Sequence, residues 1–261
     1  MRRRHVLSLP LCTAWGTAAH ADNAAGMVSA TPGGLPLLLT APHGGTAALA
    51  GVPARTQGVV LRDAGTAELA EQVADTLQAR TGLRPCLVIA RFARKFLDAN
   101  RSQDEAMASA EALPAYRAYH GQIAAYVAEL RARHPQGALL LDVHGQSQAP
   151  ATVFRGTRGG LTARRLLQQF GPTALQGEQS LIGQLAARGH DVHPAVGGTS
   201  LREDPRYSGG YTVATYGSQH AEGIDAIQLE FGSHQRNQPG LARDVAEALL
   251  HFMRHHGLLT P

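Results

Sequence analysis

Two runs of consecutive apolar residues, each followed by a histidine, place the strongest constraint on how this chain can fold. The first is LPLLLTAPHGG at residues 35–45, and the second is LLLDVHGQ at residues 139–146. Apolar runs without polar alternation are typical of strands that are buried on both faces, as in parallel sheets covered by helices. His43, Asp142 and His144 come at the carboxyl ends of these strands, where α/β proteins bind their ligands. The sequence therefore predicts a ligand site at this edge of a sheet.

Segments with helical periodicity alternate with the apolar runs. The predicted elements are a strand at 36–41, a helix at 66–80, a strand at 84–90, a helix at 112–133, strands at 138–143 and 151–155, a helix near 174–188, a strand at 225–231 and a helix at 240–256. This order predicts an α/β three-layer sandwich, with a mixed, mostly parallel sheet and helices on both faces. Residues 22–34 are small and polar, and we expect a loose lead-in there. No repeat or linker divides residues 22–261, so they are predicted to form a single domain.

The charge pattern argues against a nucleic-acid partner. The formal net charge is +4, but three arginines stand together at positions 2–4, and the other basic residues are interspersed with acidic ones. Aromatic residues make up 5% of the chain, which is too few for base-stacking platforms. We therefore expect no nucleic acid among the partners, which leaves small molecules or short peptides as the ligand classes to consider.

The first 21 residues have the pattern of an export signal. The arginines at positions 2–4 precede an apolar stretch at residues 6–19, and Ala19-His20-Ala21 is a small-residue cleavage pattern. The stretch is short and is interrupted by a proline and a glycine, so no stable membrane insertion is expected. Removal of residues 1–21 would give a periplasmic or secreted protein, exported by the general secretory or the twin-arginine route. The alternative is a disordered basic tail on a cytosolic protein.

Cysteine usage predicts no disulfide in the mature chain. The sequence has two cysteines, and Cys12 lies in the predicted signal. Cys86 then stands alone in the strand-like segment RPCLVIAR, where we expect it to be a core residue.

His43 and His144 are the candidate metal ligands. Neutral imidazole suits zinc, and a catalytic zinc site needs three protein ligands. Asp63, just before the predicted helix at 66–80, is the first candidate for the third ligand, and Glu68 is the second. In the alternative interpretation, Asp63 only caps that helix and the histidines form ordinary hydrogen bonds.

The segment ARFARKFLDANR at residues 90–101 concentrates basic and polar side chains directly after a predicted strand: Arg91, Arg94, Lys95, Asp98, Asn100 and Arg101. Guanidinium groups bind carboxylates through paired hydrogen bonds, and a positive group near a metal can stabilise an oxyanion. The alternative is a solvated loop with internal ion pairs, which we accept for Arg91 and Lys95.

Glu230 is the candidate general base. Strand alternation in DAIQLEFGSHQR, residues 225–236, places Gln228 and Glu230 on one face and the apolar residues on the other. A buried carboxylate is costly unless it is paired or used, and a glutamate beside an activated water is a fitting base. The alternative is a structural salt bridge to one of the arginines.

Six motifs, taken together and in order, resemble the N-formylglutamate amidohydrolase family. They are PHGG at 42–45, DAGTAELA at 63–70, RKFLDANR at 94–101, LLLDVHGQ at 139–146, SGGYT at 208–212 and AIQLE at 226–230. The resemblance extends from about residue 36 to residue 235. That family is similar in fold to zinc carboxypeptidases and aspartoacylases, which implies a mixed sheet of about eight strands between helical layers, and it also implies a bound Zn²⁺.

The resemblance implies a role for each matching residue. His43, His144 and Asp63 would bind zinc, Glu230 would be the catalytic glutamate, Arg94 would polarise the oxyanion, and Asn100 and Arg101 would hold a substrate carboxylate. We expect the glycine-rich passage at residues 197–217 to border the site, with Tyr207 or Tyr211 contributing to substrate binding. Carboxypeptidases place a glutamate three residues after their first histidine, where this chain has Thr46. His190 and His193 match no position of the family.

These observations predict a zinc-dependent hydrolase that cleaves an amide carbon–nitrogen bond in a small substrate bearing a free carboxylate. Formylglutamate is an intermediate of cytosolic histidine breakdown. An exported relative could instead be a zinc carboxypeptidase-like peptidase or an amidase acting on cell-wall or γ-glutamyl amides. From another class, the chain could be a periplasmic binding protein without catalytic activity.

Overall fold

Seven strands form one mixed sheet in the computed structural model, which describes residues 26–198 and 200–259. They are β1 (Val28–Thr31), β2 (Leu37–Ala41), β3 (Cys86–Ala90), β4 (Leu139–Gln146), β5 (Thr152–Gly156), β6 (Asp191–His193) and β7 (Asp225–Gly232). Their order across the sheet is β1-β3-β2-β4-β7-β5-β6. The four neighbours β3, β2, β4 and β7 are parallel, whereas β1 is antiparallel to β3, and β5 is antiparallel to β7. The predicted α/β fold with a mostly parallel sheet is confirmed.

Helices cover both faces of this sheet. They are α1 (Thr66–Thr81), α2 (Gln103–Ala106), α3 (Leu113–Arg133), α4 (Arg164–Phe170), α5 (Thr173–Gln176), α6 (Leu181–Ala186), α7 (Tyr211–Tyr216), α8 (Ser233–Arg236) and α9 (Leu241–His255). In β2, Leu37 and Leu39 belong to the core beneath α1 and α9, whereas Leu38 belongs to the core beneath α3. A strand buried on both faces has no polar side, which explains the unbroken apolar runs of the sequence.

The structure contains elements that the sequence did not predict, among them β6 and α4, and two of the differences have a clear cause. The predicted loose lead-in contains β1, which pairs with β3 and places Val28 in the core beneath α3. The single helix predicted near 174–188 is divided into α5 and α6, because Ser180 caps a new helix by accepting a hydrogen bond from the Gly183 amide at 3.1 Å. Both differences arise from interactions that periodicity does not reveal.

Cys86 is fully buried in β3, and this burial raises the pKa of its thiol to about 11. The prediction of a core cysteine is confirmed. In the part of the chain that the structure describes, every helix is too short or too polar to cross a bilayer. The predicted signal at residues 1–21 lies outside the described residues.

Candidate active site

The predicted site residues converge at the carboxyl edge of the parallel strands. His43 follows the end of β2, while His144 and Glu230 are register partners on the adjacent strands β4 and β7. Register partners point to the same face of a sheet, so both side chains reach the same cavity. That cavity has a volume of about 560 Å³, and Asp63 and Arg94 also line it.

Three donor groups on the cavity wall fit a metal ion. The Nδ1 atoms of His43 and His144 each lie 3.3 Å from Oδ2 of Asp63. One ligand atom from each of the three residues falls within 4.8 Å of the others. Ligands about 2.0–2.2 Å from a tetrahedral zinc ion are about 3.3–3.5 Å apart, which matches the two nitrogen–oxygen separations.

Each histidine has a second carboxylate on its far side. His43 Nε2 lies 2.7 Å from Asp98 Oδ1, and His144 Nε2 lies 2.9 Å from Asp142 Oδ2. The Thr40 hydroxyl donates to the other oxygen of Asp142 at 2.6 Å. A neutral imidazole that donates its Nε2–H to a carboxylate presents the Nδ1 lone pair to the cavity, which is the usual arrangement behind a metal-binding histidine.

The charges around this cluster favour cations. Burial opposes ionisation of Asp63, but hydrogen bonds from His144 and His43 outweigh it and hold the carboxyl pKa well below its usual range. Burial also opposes the charged form of His144, but the nearby Asp142 carboxylate outweighs that effect and raises the imidazole pKa. A divalent cation could take the place of these protons, since metal binding requires the neutral imidazole and releases its proton.

The Asp63 side chain faces the two histidines and does not cap a helix. Helix α1 begins after Gly65 without a side-chain cap, and the Asp63 carboxylate instead accepts hydrogen bonds from the Gly145 amide at 3.1 Å and from Arg94 at 3.3 Å. The capping interpretation is therefore wrong. The other candidate, Glu68, is exposed and pairs with Arg62 at 2.9 Å, away from the two histidines.

Arg94 lines the cavity and also forms ion pairs inside the protein. Its Nε donates to Asp98 Oδ2 at 3.1 Å, while Nη1 donates to Asp63. Arg91 pairs with Glu71, and the Lys95 ammonium lies 5.0 Å from the Phe96 ring centroid; neither belongs to the described cavity lining. Their positions agree with the solvated-loop interpretation accepted for these two residues.

Glu230 lies inside the cavity without a guanidinium partner. Its Oε1 accepts a hydrogen bond from Gln228 Nε2 at 3.0 Å and lies 3.9 Å from His144 Nδ1. No arginine in the described chain forms a salt bridge with this carboxylate, so the alternative of a structural ion pair is wrong. Burial raises the Glu230 pKa, although the charge of His144 partly offsets the effect. A raised pKa suits a group that must both take and return a proton.

Asn100 and Arg101, the two residues predicted to bind a substrate carboxylate, differ in how firmly their side chains are held. The Asn100 carboxamide is held inside the protein, since the residue is buried and its Oδ1 accepts a hydrogen bond from the Thr212 amide at 2.8 Å. Arg101 is half-buried, and its guanidinium donates to the Asn100 carbonyl at 3.1 Å. Both residues line the cavity, but Arg101 has more donor groups left for a ligand.

Tyr207 lies on the cavity wall, together with the three residues that follow it, so part of the glycine-rich passage borders the site as expected. Tyr211 begins α7 and packs against His120, with ring centroids 5.5 Å apart, outside the described lining. Of the two tyrosines predicted to contribute to substrate binding, Tyr207 lines the described cavity and Tyr211 does not. His190 hydrogen bonds to Asp244 at 3.1 Å, and His193 packs against Phe154 at a centroid distance of 5.3 Å, so neither joins the site.

Sequence reasoning missed the roles of Asp98, Gln228 and Arg236. Asp98 orients His43. The sequence signal for this role is the position of Asp98 two residues before Asn100, another candidate site residue. Arg236, on α8, lines the cavity and donates from Nε to the Ala64 carbonyl at 2.7 Å, which ties the segment after β7 to the loop before α1. No local pattern identifies such a contact between distant segments.

Comparisons with known proteins identify similar sequences and folds. Residues 113–235 match the family model of N-formylglutamate amidohydrolase. The fold is similar to that of N-formylglutamate amidohydrolase from Ralstonia eutropha JMP134, with 20% identity and a TM-score of 0.55 over 88% of this chain and 97% of that chain. It is also similar to a gene product from Agrobacterium tumefaciens, with 13% identity and a TM-score of 0.58 over 88% of this chain and 94% of that one. No curated protein matches the sequence. The resemblance predicted from the six motifs is confirmed, and so is the prediction of an amidohydrolase-type enzyme.

Proposed function

Starting from the match of residues 113–235 to the N-formylglutamate amidohydrolase family, we propose a zinc-dependent hydrolase that cleaves the amide bond of a small substrate bearing a free carboxylate. The observation that carries this proposal is the cluster of His43, Asp63 and His144 beside the buried carboxyl group of Glu230. Two imidazoles and a carboxylate form a donor set that is typical of catalytic zinc.

His43, Asp63 and His144 would hold the metal, with Asp98 and Asp142 fixing the two imidazole rings from behind. When bound, a zinc ion supplies Lewis acidity that polarises a carbonyl group and acidifies water. The three ligands come from three separate segments, and the sheet holds two of them close to strand ends. The donor atoms are therefore positioned before any ligand arrives.

Glu230 would act as the proton carrier. Its carboxylate accepts a proton from the attacking water and returns it to the nitrogen of the leaving amine, so the products are a carboxylic acid and an amine. Gln228 holds one oxygen of this carboxylate at 3.0 Å, and Gln228 is itself held by the Gly210 amide at 2.8 Å. The rotamer of Glu230 is thereby restricted, while its second oxygen remains available for water.

Arg94 and Arg101 would interact with two different charges of the substrate. Asp63 and Asp98 hold the Arg94 guanidinium at the metal cluster, where it faces the charge that develops on the carbonyl oxygen. Arg101 lies further out and would bind the substrate carboxylate, with support from the backbone around Asn100 and from Tyr207.

We further propose that the enzyme acts outside the cytoplasm, because residues 1–21 have the pattern of a cleaved signal. The mass of the protein recovered from a periplasmic fraction would test this. A mass that still includes these residues, or recovery only from the cytosol, would contradict export.

The proposed function can be tested by a metal-supplemented screen of the mature protein against N-acyl amino acids and short peptides, with the Glu230→Gln variant as control. We expect one zinc per chain and amine release by the parent protein only. Zinc binding and ligand binding without product from any substrate would favour a non-catalytic binding protein instead.

A further inference from the structure

Three consecutive apolar residues stand exposed at the mouth of the cavity. The exposed fractions are 50% for Val59, 36% for Val60 and 76% for Leu61. Among the described residues, the other large hydrophobic side chains with comparable exposure are Leu83 and Leu161, which stand singly. Single exposed apolar residues are ordinary, but a run of three is unfavourable in water unless something covers it. We call residues 59–61 the apolar rim.

The apolar rim belongs to the candidate site. Val59 and Leu61 line the same cavity as His43, Asp63 and Glu230. Only one residue, Arg62, separates the rim from the proposed metal ligand Asp63 along the chain. A group that covers the rim would therefore lie beside the reacting atoms.

Hydrogen bonds hold the backbone of the rim in place. The Arg55 guanidinium donates to the Val59 carbonyl at 3.2 Å, and the Arg62 guanidinium donates to the Gly44 carbonyl at 2.7 Å. The Asp63 amide also donates to the His43 carbonyl at 3.2 Å. The segment is thus anchored on both sides, so its side chains are held at the cavity mouth and are not free to fold into the core.

The rest of the cavity wall carries several basic side chains. Five arginines line it: Arg62, Arg94, Arg101, Arg206 and Arg236. A wall that carries several guanidinium groups and is apolar at one edge is complementary to a molecule with a carboxylate and an apolar group. The cavity volume of about 560 Å³ lies within the range of about 300–1,000 Å³ that is usual for drug-sized ligands.

We infer that the substrate of the proposed hydrolase is an amphipathic amide, with a free carboxylate that binds the arginines and an apolar group of several carbons that packs on residues 59–61. This inference rests on the proposed function and specifies its substrate class. A formyl group has a single carbon and cannot cover three apolar side chains. An aliphatic or aromatic acyl group, or an apolar substituent on the leaving amine, can do so.

Two substrate series test this inference and identify which side of the amide carries the apolar group. The first is N-acylglutamates from formyl to octanoyl, and the second is N-formyl amino acids whose side chains increase in apolar size. We expect kcat/KM to rise about two- to fourfold per added methylene in one series, as partial burial of each methylene predicts. A flat profile in both series would overturn the inference, even if N-formyl compounds are hydrolysed.

The Leu61→Ser variant links the effect to the rim, with Leu83→Ser as the matched control. Leu83 is 45% exposed and lies beyond the end of α1, outside the described cavity lining. We expect Leu61→Ser to lower the kcat/KM ratio of the longest to the shortest substrate about tenfold. An equal ratio in parent, variant and control would contradict the inference.

Binding to the Glu230→Gln variant separates failure of this inference from failure of the proposed function. Dissociation constants of both substrate series, measured by calorimetry, should fall with apolar size in one series even if turnover is never seen. Constants that do not change with apolar size in either series would overturn the inference. A shift in oligomeric state on replacing Leu61, together with a flat length profile, would instead assign the rim to contact with a second copy of the chain.

Discussion

Asp142 and His144 stand two residues apart on β4, and Asp142 Oδ2 lies 2.9 Å from His144 Nε2. Residues two apart on a strand share one face, so this pair forms from local geometry alone. The contact leaves His144 Nδ1 directed toward Asp63, 3.3 Å away. Asp142 therefore orients a proposed metal ligand without belonging to the ligand set.

Replacing Asp142 by Asn should weaken zinc binding about 10- to 100-fold, because an amide oxygen supports the imidazole less well than a carboxylate does. Competition with a chromogenic chelator measures the change. Asp225→Asn is the matched control, since Asp225 is a buried carboxylate outside the described cavity lining. Equal zinc affinity in the parent and in Asp142→Asn would contradict the orienting role.

Replacing Glu230 by Gln should lower kcat by about 10²- to 10⁴-fold, because the amide cannot transfer the proton. The substitution preserves shape, so we expect zinc content and the thermal midpoint to stay close to those of the parent. Steady-state kinetics with metal analysis tests this. A variant that retains more than a tenth of the parent kcat would exclude Glu230 as the proton carrier.

Replacing Arg101 by Ala should raise KM for carboxylate-bearing substrates about 10- to 100-fold, the usual effect of losing hydrogen bonds to a charged group. Substrates whose carboxylate is converted to an amide should respond much less. Arg91→Ala serves as control, because Arg91 pairs with Glu71 outside the described cavity lining. If both substrate types weaken equally in Arg101→Ala, the anchoring role is wrong.

His120 should make the fold sensitive to acid. Its Nε2 donates to the Ala99 carbonyl at 2.9 Å, its Nδ1 lies 3.0 Å from the Tyr216 hydroxyl, and burial lowers its pKa from 6.5 to about 4. The unfolded chain then binds the proton more readily, so stability is lost as pH falls from about 6.5 toward 4, by up to about 3 kcal/mol.

Urea unfolding of the parent and of His120→Gln between pH 7 and pH 4.5 isolates this contribution. The difference in unfolding free energy, parent minus variant, should shrink as the pH falls. A difference that is constant over this range would show that His120 does not carry the effect.

Cys86 should not react with thiol reagents in the folded protein. Its side chain is fully buried, and burial raises its pKa to about 11, so the thiolate is scarce at pH 8. Labelling with a maleimide, followed by mass spectrometry, should show modification only after unfolding in guanidinium chloride. Rapid labelling of the native protein would contradict the burial of β3.

The apolar runs that end at His43 and His144 were sufficient to predict two buried strands with a ligand site at their carboxyl ends. Together with the alternation of strands and helices, they also predicted the mostly parallel sheet. These predictions succeeded because continuous apolar character and strand alternation are local consequences of burial on both faces. Glu230 was found for the same reason, since alternation along β7 placed it on the polar face. Strand β1 was missed, because pairing with β3 and not local composition makes residues 28–31 a strand.

Only the tertiary structure decided which acidic residue completes the cluster and which tyrosine reaches the cavity. Asp63 and Glu68 lie five residues apart, and the sequence favoured Asp63 without excluding Glu68; in the structure Asp63 faces both histidines and Glu68 is exposed. Tyr207 and Tyr211 share one loop-rich passage, yet α7 turns the second toward His120. The sequence by itself determined five of the seven described strands and the types of residue available for chemistry. Side-chain direction in irregular segments depends on contacts between distant parts of the chain, and therefore only the folded structure could determine it.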